Sequence, residues 1–342
     1  MELIRNEPKP AALSKRARSA LRGVLAHQEV TIIISFFFVL LFFFSQNSAM
    51  LNLVTIVSIL RAAAFPALIA MGLVQLMIAG EIDLSTGAMM SLGAVLCAKL
   101  IRDVFLPAGI EAAVPLAVAC TLGVALLVGL TNALLVVKIG IPSVIATIGT
   151  QFIVRGISYS FTNGLPIYPL PAEVATIGSW KTLGVSFTFF LALGLCVVVH
   201  ILLTQTRWGA SLFATGSNKV AAQVCGISTN RVKTICFMLT SLLAGMAGML
   251  VMSQLPQTPG DPIIGRFLEL DILAGIVIGG VSFYGGRGSA IGAFFGVLFV
   301  QMVRSGIVVS HFNSYLQLPV LGFLLMLAAI VDVLQHRSRD SS

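Results

Sequence analysis

Seven polar side chains stand inside or beside stretches that are otherwise apolar: Arg61, Glu81, Asp83, Asn132, Arg155, Glu269 and Asp271. An ionisable group is costly to hold in hydrocarbon, so such residues either line a path for a solute or ion or pin helices together. Asp83 precedes Leu-Ser-Thr-Gly, where a carboxylate can cap the free N–H groups of a helix or touch a solute. Asn132 is expected to hydrogen-bond a neighbouring helix. Glu269 and Asp271 fall at the outer end of a short span, either as ordinary interfacial residues or as contacts for an external partner. His200 and His311 are isolated.

None of these residues forms a catalytic constellation. There is no G-x-x-x-x-G-K-[ST] loop for ATP, no H-E-x-x-H pair for zinc and no G-x-S-x-G elbow. Gly286-Arg-Gly288 lacks the third glycine of a dinucleotide turn. The expectation is a polar pathway without an engine: no enzyme, no metal, no cofactor.

The elements that position these groups are membrane spans. Of the 342 residues, 57% are hydrophobic and 10% charged, with a mean hydropathy of +1.00. Soluble domains carry about 25% charge, and a β-barrel would alternate apolar and polar residues. The reading is an all-α polytopic membrane protein. A crossing needs about 20 apolar residues. Ten candidate spans result: Val30–Phe44, Leu53–Ala79 (interrupted by Arg61 and Pro66), Thr86–Ile101, Val114–Val137, Pro142–Phe161, Gly184–Leu203, Thr234–Ser253, Phe267–Val281, Ala290–Val309 and Leu316–Leu334. A basic tail (1–29) precedes this membrane domain (30–334), and a short one (335–342) follows.

Ten crossings put both termini on one side. Fourteen of the 21 basic residues fall there and five on the other side, which makes the termini cytoplasmic by the positive-inside rule. The formal charge of +8 therefore reports topology, not nucleic-acid binding. Of five cysteines, four lie in apolar segments and none forms C-x-x-C, so they read as packing residues. Glycine and alanine pairs four apart (Gly275/Gly279, Gly292/Gly296, Ala244/Gly248) let helix backbones approach, within one chain or between two. Two Gly-containing turns, at 80–94 and 284–296, suggest an internal repeat.

One polar interval stands out, Thr206 to Lys233, with Arg207, Lys219, Arg231 and Lys233 and no acidic residue. Its core from Asn218 to Ile227 has the texture of a short helix with a glycine stop at Gly226. An ordered helix on the cytoplasmic surface of a membrane protein is a docking element.

Four segments, in order over residues 50–334, resemble those of bacterial sugar ABC-transporter permeases of the ribose/xylose/arabinose group. They are GEIDLSTGAMMSLGA; the Ile141–Gly164 region with Arg155-Gly156; TRWGASLFATGSNKVAAQVCGISTNRVK; and LELDILAGIVIGGVSFYGGRGSAIGAFFGVL. The family usually has Gly where this chain has Glu81. The resemblance implies a type II-importer-like permease in the bacterial inner membrane. It implies a second permease chain, an ATP-binding subunit and a periplasmic solute-binding protein as partners. Gly216, Asn218, Ala221, Ala222, Gly226 and Ile227 would then seat the ATPase. Arg61, Glu81, Asp83, Asn132 and Arg155 would line the path or brace it, with Glu269 and Asp271 as contacts for the binding protein. A polyol, nucleoside or amino acid as solute, and a stand-alone facilitator, remain open at this point.

Overall fold

The computed structural model describes residues 28–182, 184–254 and 265–340. Nearly all of the basic tail expected over 1–29 and the Pro-rich segment after Gln254 lie outside them. The helices in chain order are α1 (Gln28–Gln46), α2 (Leu53–Ile78), α3 (Thr86–Lys99), α4 (Ala113–Ala133), α5 (Ser143–Thr162), α6 (Ala172–Ser179), α7 (Phe187–Gln205), α8 (Arg207–Ser217), α9 (Lys219–Val224), α10 (Thr229–Gln254), α11 (Leu268–Ile278), α12 (Ala290–Val309) and α13 (Gln317–Asp340). α3 and α4 each continue through a π-helical turn, to Phe105 and Ile139. A hairpin of two-residue strands, Lys181–Thr182 and Val185–Ser186, is the strand structure among the described residues.

This is an all-α polytopic membrane protein. Every expected span coincides with a helix, and among the described residues six stretches are long and apolar enough to cross a bilayer. α11, with 11 residues, is too short to cross alone. α2 runs unbroken through Arg61 and Pro66, because neighbouring helices can satisfy the backbone groups that a proline frees. The stretch between α5 and α7 is less irregular than its Pro and Gly content suggests. α6 lies in it and packs on α10, with Val174 and Ile167 buried against Ala98, Ile101 and Met252.

Lipid tails are as apolar as leucine, so helices in a membrane associate through close packing and hydrogen bonds instead of water exclusion. α10 is the post around which the bundle forms, packing on α2, α3 and α4. The contacts are backbone on backbone. A Cβ added at Gly93 on α3 would stand 2.5 Å from the Gly245 carbonyl oxygen, and one at Gly129 on α4 would stand 2.7 Å from Met238 Cα. α11 and α12 cross in the same way, Gly279 against Gly292 and Gly275 against Gly296. The small-residue pairs thus serve packing within one chain. The two Gly-containing turns touch: a Cβ at Gly285 would meet Gly80.

A glycine pair on α4 separates packing from propensity. Gly129 is closed in by α10, whereas Gly123 has nothing within 4 Å. Gly129→Val should cost about 1–3 kcal/mol through overpacking and lower the melting temperature of the detergent-solubilised chain. Gly123→Val should melt close to the parent. Equal melting of the two variants would contradict the α4–α10 crossing.

Candidate functional site

The polar interval folds as a helical unit. Thr206 caps α8, its hydroxyl accepting from Gly209 N–H at 3.4 Å. Asn218 ends α8 and caps α9, its side-chain oxygen accepting from Ala221 N–H at 3.0 Å. α9 closes with the two bonds of a Schellman motif, Gly226 N–H to Gln223 O and Ile227 N–H to Ala222 O, each 3.0 Å. Gly226 sits at φ 82°, a conformation that glycine adopts without the steric cost of a Cβ. The interval ends sooner than its polarity suggests, since Thr229 to Lys233 already belong to α10. The expected helix with a glycine stop is therefore in place.

The side chains of α9 divide by burial. Ala222 is buried and faces the protein, while Lys219, Val220, Ala221, Gln223 and Val224 are exposed. Val220 and Val224, one turn apart, are 70% and 83% exposed. They went unnoticed among the glycines and alanines of the interval. The signal was present: two valines at i and i+4 on a helix whose alternate face is already occupied by Ala222.

α8 fixes this unit to the bundle. Leu212 is fully buried, and Trp208 donates its indole N–H to Gln75 Oε1 on α2 at 2.9 Å. At the C-terminal end of α8 three glycine backbones converge. A Cβ at Gly285 would lie 2.8 Å from Gly80 Cα and 3.2 Å from Gly216 Cα, and one at Gly216 would collide with the Ile78 carbonyl. Gly286 N–H donates to Ile78 O at 2.8 Å, binding the turn after α11 to the end of α2. Asp332 on α13 holds that turn from behind, accepting from Ser282 Oγ at 3.0 Å and Phe283 N–H at 2.9 Å. Asp332 was not among the residues singled out from sequence, since a single carboxylate near the end of an apolar helix reads as an interfacial residue.

The turn between α2 and α3 is gripped on all sides. Gly80, at φ 83°, ends α2. Glu81 pairs with Lys233 of α10 at 2.6 Å. On α5, Ser143 Oγ accepts from Ile82 N–H at 3.3 Å and Thr147 Oγ1 from Leu84 N–H at 3.1 Å. Asp83 is fully buried and differs from the cap expected of it. Its Oδ1 accepts from the backbone N–H and hydroxyl of Ser85, at 2.8 and 2.6 Å, one residue before α3 begins. Asn132 on α4 donates to the same Ser85 hydroxyl at 3.0 Å, the interhelical bond expected of it.

Inside the bundle the starts of α3 and α11 meet. Gly87 in the first turn of α3 lies against the Gly265 carbonyl and the Glu269 carboxylate. An anion is favoured there by the helix dipole. Gln151 of α5 donates to Glu269 Oε1 at 2.5 Å, and Arg155 Nη2 lies 3.9 Å from Glu269 Oε2 and 3.4 Å from Gly265 O. Among the described residues, Arg155 Nη1 and Glu269 Oε2 make no hydrogen bond. Asp271 pairs with Arg304 of α12 at 2.7 Å. Glu269 and Asp271, read from sequence as external contacts, are instead buried at 5% and 3% exposure, because basic side chains of α5 and α12 draw them inward. Among the seven polar candidates of the spans, Arg61 is the exposed one. It lines a cleft of about 430 Å³ with Ser58, Lys181, Ser186 and Gln254, on the face opposite α9. A second cleft of about 440 Å³, sharing Ser58 and Ala62, runs past Gln301, Arg304 and Gln317.

A short helix meeting the start of another inside a bundle, with ionisable groups at the meeting point and clefts beyond it, is the architecture of a membrane transporter. The chain belongs to the family described as branched-chain amino acid transport system / permease component, which it matches over residues 55–329. It is similar to the autoinducer 2 import system permease protein LsrC of Escherichia coli, 31% identical over 312 residues, covering 91% of this chain and 89% of LsrC. It is also similar to the probable ABC transporter permease protein YphD of Escherichia coli K12, 32% identical over 282 residues and 81% of each chain. The ribose import permease protein RbsC of Escherichia coli K12 is 29% identical over 279 residues, 80% of this chain and 84% of RbsC. No solved structure matches the chain.

The Trp208–Gln75 bond gives a direct test of how α8 is held. Trp208→Phe leaves the buried Gln75 oxygen without its partner, a loss of about 1–3 kcal/mol, whereas removing both polar groups can be nearly neutral. Thermal unfolding should show a clear drop for Trp208→Phe and substantial recovery in the Trp208→Phe/Gln75→Leu pair. A double variant no better than the single one would mean that α8 is held by something else.

Proposed function

We propose that the chain is the membrane-spanning permease subunit of an ATP-driven importer in a bacterial inner membrane, passing a monosaccharide or similar small polar solute. The family membership and the relatives named for ribose and autoinducer 2 support the solute class. The observation that carries the rest is α9: a short capped helix, rigidly tied to the bundle, that presents Val220 and Val224 to solvent. Exposed apolar residues on a fixed helix fit a groove on a partner. In this reading the partner is a separate ATP-binding subunit, and this chain has no ATPase site of its own.

Gly216, Asn218, Ala221, Ala222, Gly226 and Ile227 then have distinct tasks. Ala221 lies on the contact face with Val220 and Val224. Asn218, Gly226 and Ile227 shape the two ends of α9, Ala222 packs beneath it, and Gly216 lets α8 reach the Gly-rich turns. The α9 face is cytoplasmic, as are both termini. On the opposite face a periplasmic binding protein delivers the solute to the clefts beside Arg61. A second permease chain completes the pathway. ATP-driven closure biases the side to which the permease opens, and it can do so only through a difference in affinity between the two states.

Affinity capture of the tagged chain from gently solubilised native membranes should recover a P-loop ATPase in stoichiometric amount. The Val220→Asp/Val224→Asp variant should lose that partner and ATP-dependent solute uptake while keeping its melting temperature, since both side chains are exposed. A chain that is purified alone, folded and conducting solute without ATP would be a facilitator, and the importer reading would fall.

A further inference from the structure

Glu81 is the residue at which this chain departs from the usual Gly-Gly-Ile-Asp turn, and the structure gives it a partner. Lys233 Nζ lies 2.6 Å from Glu81 Oε1, with the two side chains only 11% and 15% exposed. The pair joins two elements 152 residues apart. Lys233 is on the first turns of α10, which begins three residues after the glycine stop of α9. Glu81 opens the turn that leads to α3, whose first residues face Glu269 and Gly265. The other hydrogen bonds on that turn come from Ser143 and Thr147 on α5 and Asn132 on α4, while Gly216 of α8 and the 279–288 turn pack against Gly80 through backbone alone. Among the described residues, Lys233–Glu81 is the one ion pair that connects α10 to it.

We propose that this ion pair is the charged side-chain joint, beside the backbone packing of Gly216 on Gly80, through which the α8–α9 unit sets the position of the start of α3, which makes Glu81 and Lys233 positioning residues for transport. The proposal rests on the importer reading. A movement imposed at α9 passes directly into the first turn of α10, because only the Cys225–Ser228 link separates them. From Lys233 it reaches Glu81 by a charge-assisted bond, which is shorter and more directional than a neutral one. From Glu81 the chain runs through a turn held by hydrogen bonds to the α3 N-terminus, where Glu269 and Arg155 converge. A carboxylate at position 81 thus adds a rigid link that a glycine would not supply.

The test compares Glu81→Gln, Lys233→Met, the conservative Lys233→Arg and the exchanged pair Glu81→Lys/Lys233→Glu. The complete importer is reconstituted in liposomes, with ribose as the first probe solute. Solute imported per ATP hydrolysed is the readout, beside the melting temperature of each variant. Glu81→Gln and Lys233→Met should reduce that ratio about tenfold, within the usual range of coupling between sites, while still hydrolysing ATP. Lys233→Arg should stay near the parent, and the exchanged pair should recover much of the loss. Hydrogen exchange on the purified chain should also show faster exchange at residues 83–90 in both neutral single variants. Folded variants with an unchanged import-to-ATP ratio would overturn the joint, as would single variants whose uptake and hydrolysis fall together in step with melting. If the parent complex transports no probe solute under ATP while the exchange data change as expected, the importer reading fails and the mechanical link stands. If exchange at 83–90 is unchanged, the link itself fails.

Discussion

The hydrogen bond from Gly286 N–H to Ile78 O, and the glycine contacts around it, fix the geometry of the face that carries α8 and α9. Backbone groups in a lipid environment have no water to turn to, so each must find a partner within the protein. At this place the partner comes from a chain segment some two hundred positions away, and it can approach only because Gly80, Gly216, Gly285 and Gly286 lack side chains. Three segments that the sequence keeps far apart become one structural knot. Helix ends that would otherwise be open become a rigid plate beneath α9.

The bundle itself follows from the same constraint applied along its length. α10 lies close to α3 and α4 because glycines on each remove the atoms that would keep the backbones apart. Several of the polar residues buried among these helices gather in two clusters. Asp83, Ser85 and Asn132 cluster, as do Gln151, Arg155 and Glu269, and each cluster sits at an end or an interruption of a helix. The chain thus keeps its charge where the regular ladder of backbone bonds stops and other acceptors and donors are needed.

Much of this was legible beforehand and some was not, for physical reasons. Long apolar runs are written directly in composition, so a helix could be read at each of the ten candidate spans, six of which are long and apolar enough to cross among the described residues. The helix over Lys219–Val224 was readable because Asn218 and Gly226 are a cap and a stop with local chemistry. Glu269 and Asp271 were misplaced because their surroundings depend on Arg155 and Arg304, whose approach is a tertiary fact with no local trace. Asp83 was near its expected role but one register off, since an aspartate can bond to the residue two ahead as readily as it caps a helix. Val220 and Val224 were readable in principle. Their meaning appears only when Ala222 is seen to face inward.

α13 is the most sparsely packed of the long helices, with Phe323, Met326, Ile330 and Leu334 all exposed, yet its Asp332 supplies the acceptor for the turn at Ser282 and Phe283. That acceptor lies 49 residues downstream of the backbone group it serves. A ribosome therefore delivers the turn well before the carboxylate that holds it. Until α13 has entered the bilayer, the plate under α9 lacks one of its fastenings. The order of synthesis makes the surface that carries α9 one of the last parts of the protein to become complete, so that a chain stalled short of α13 presents α9 on an unfinished base.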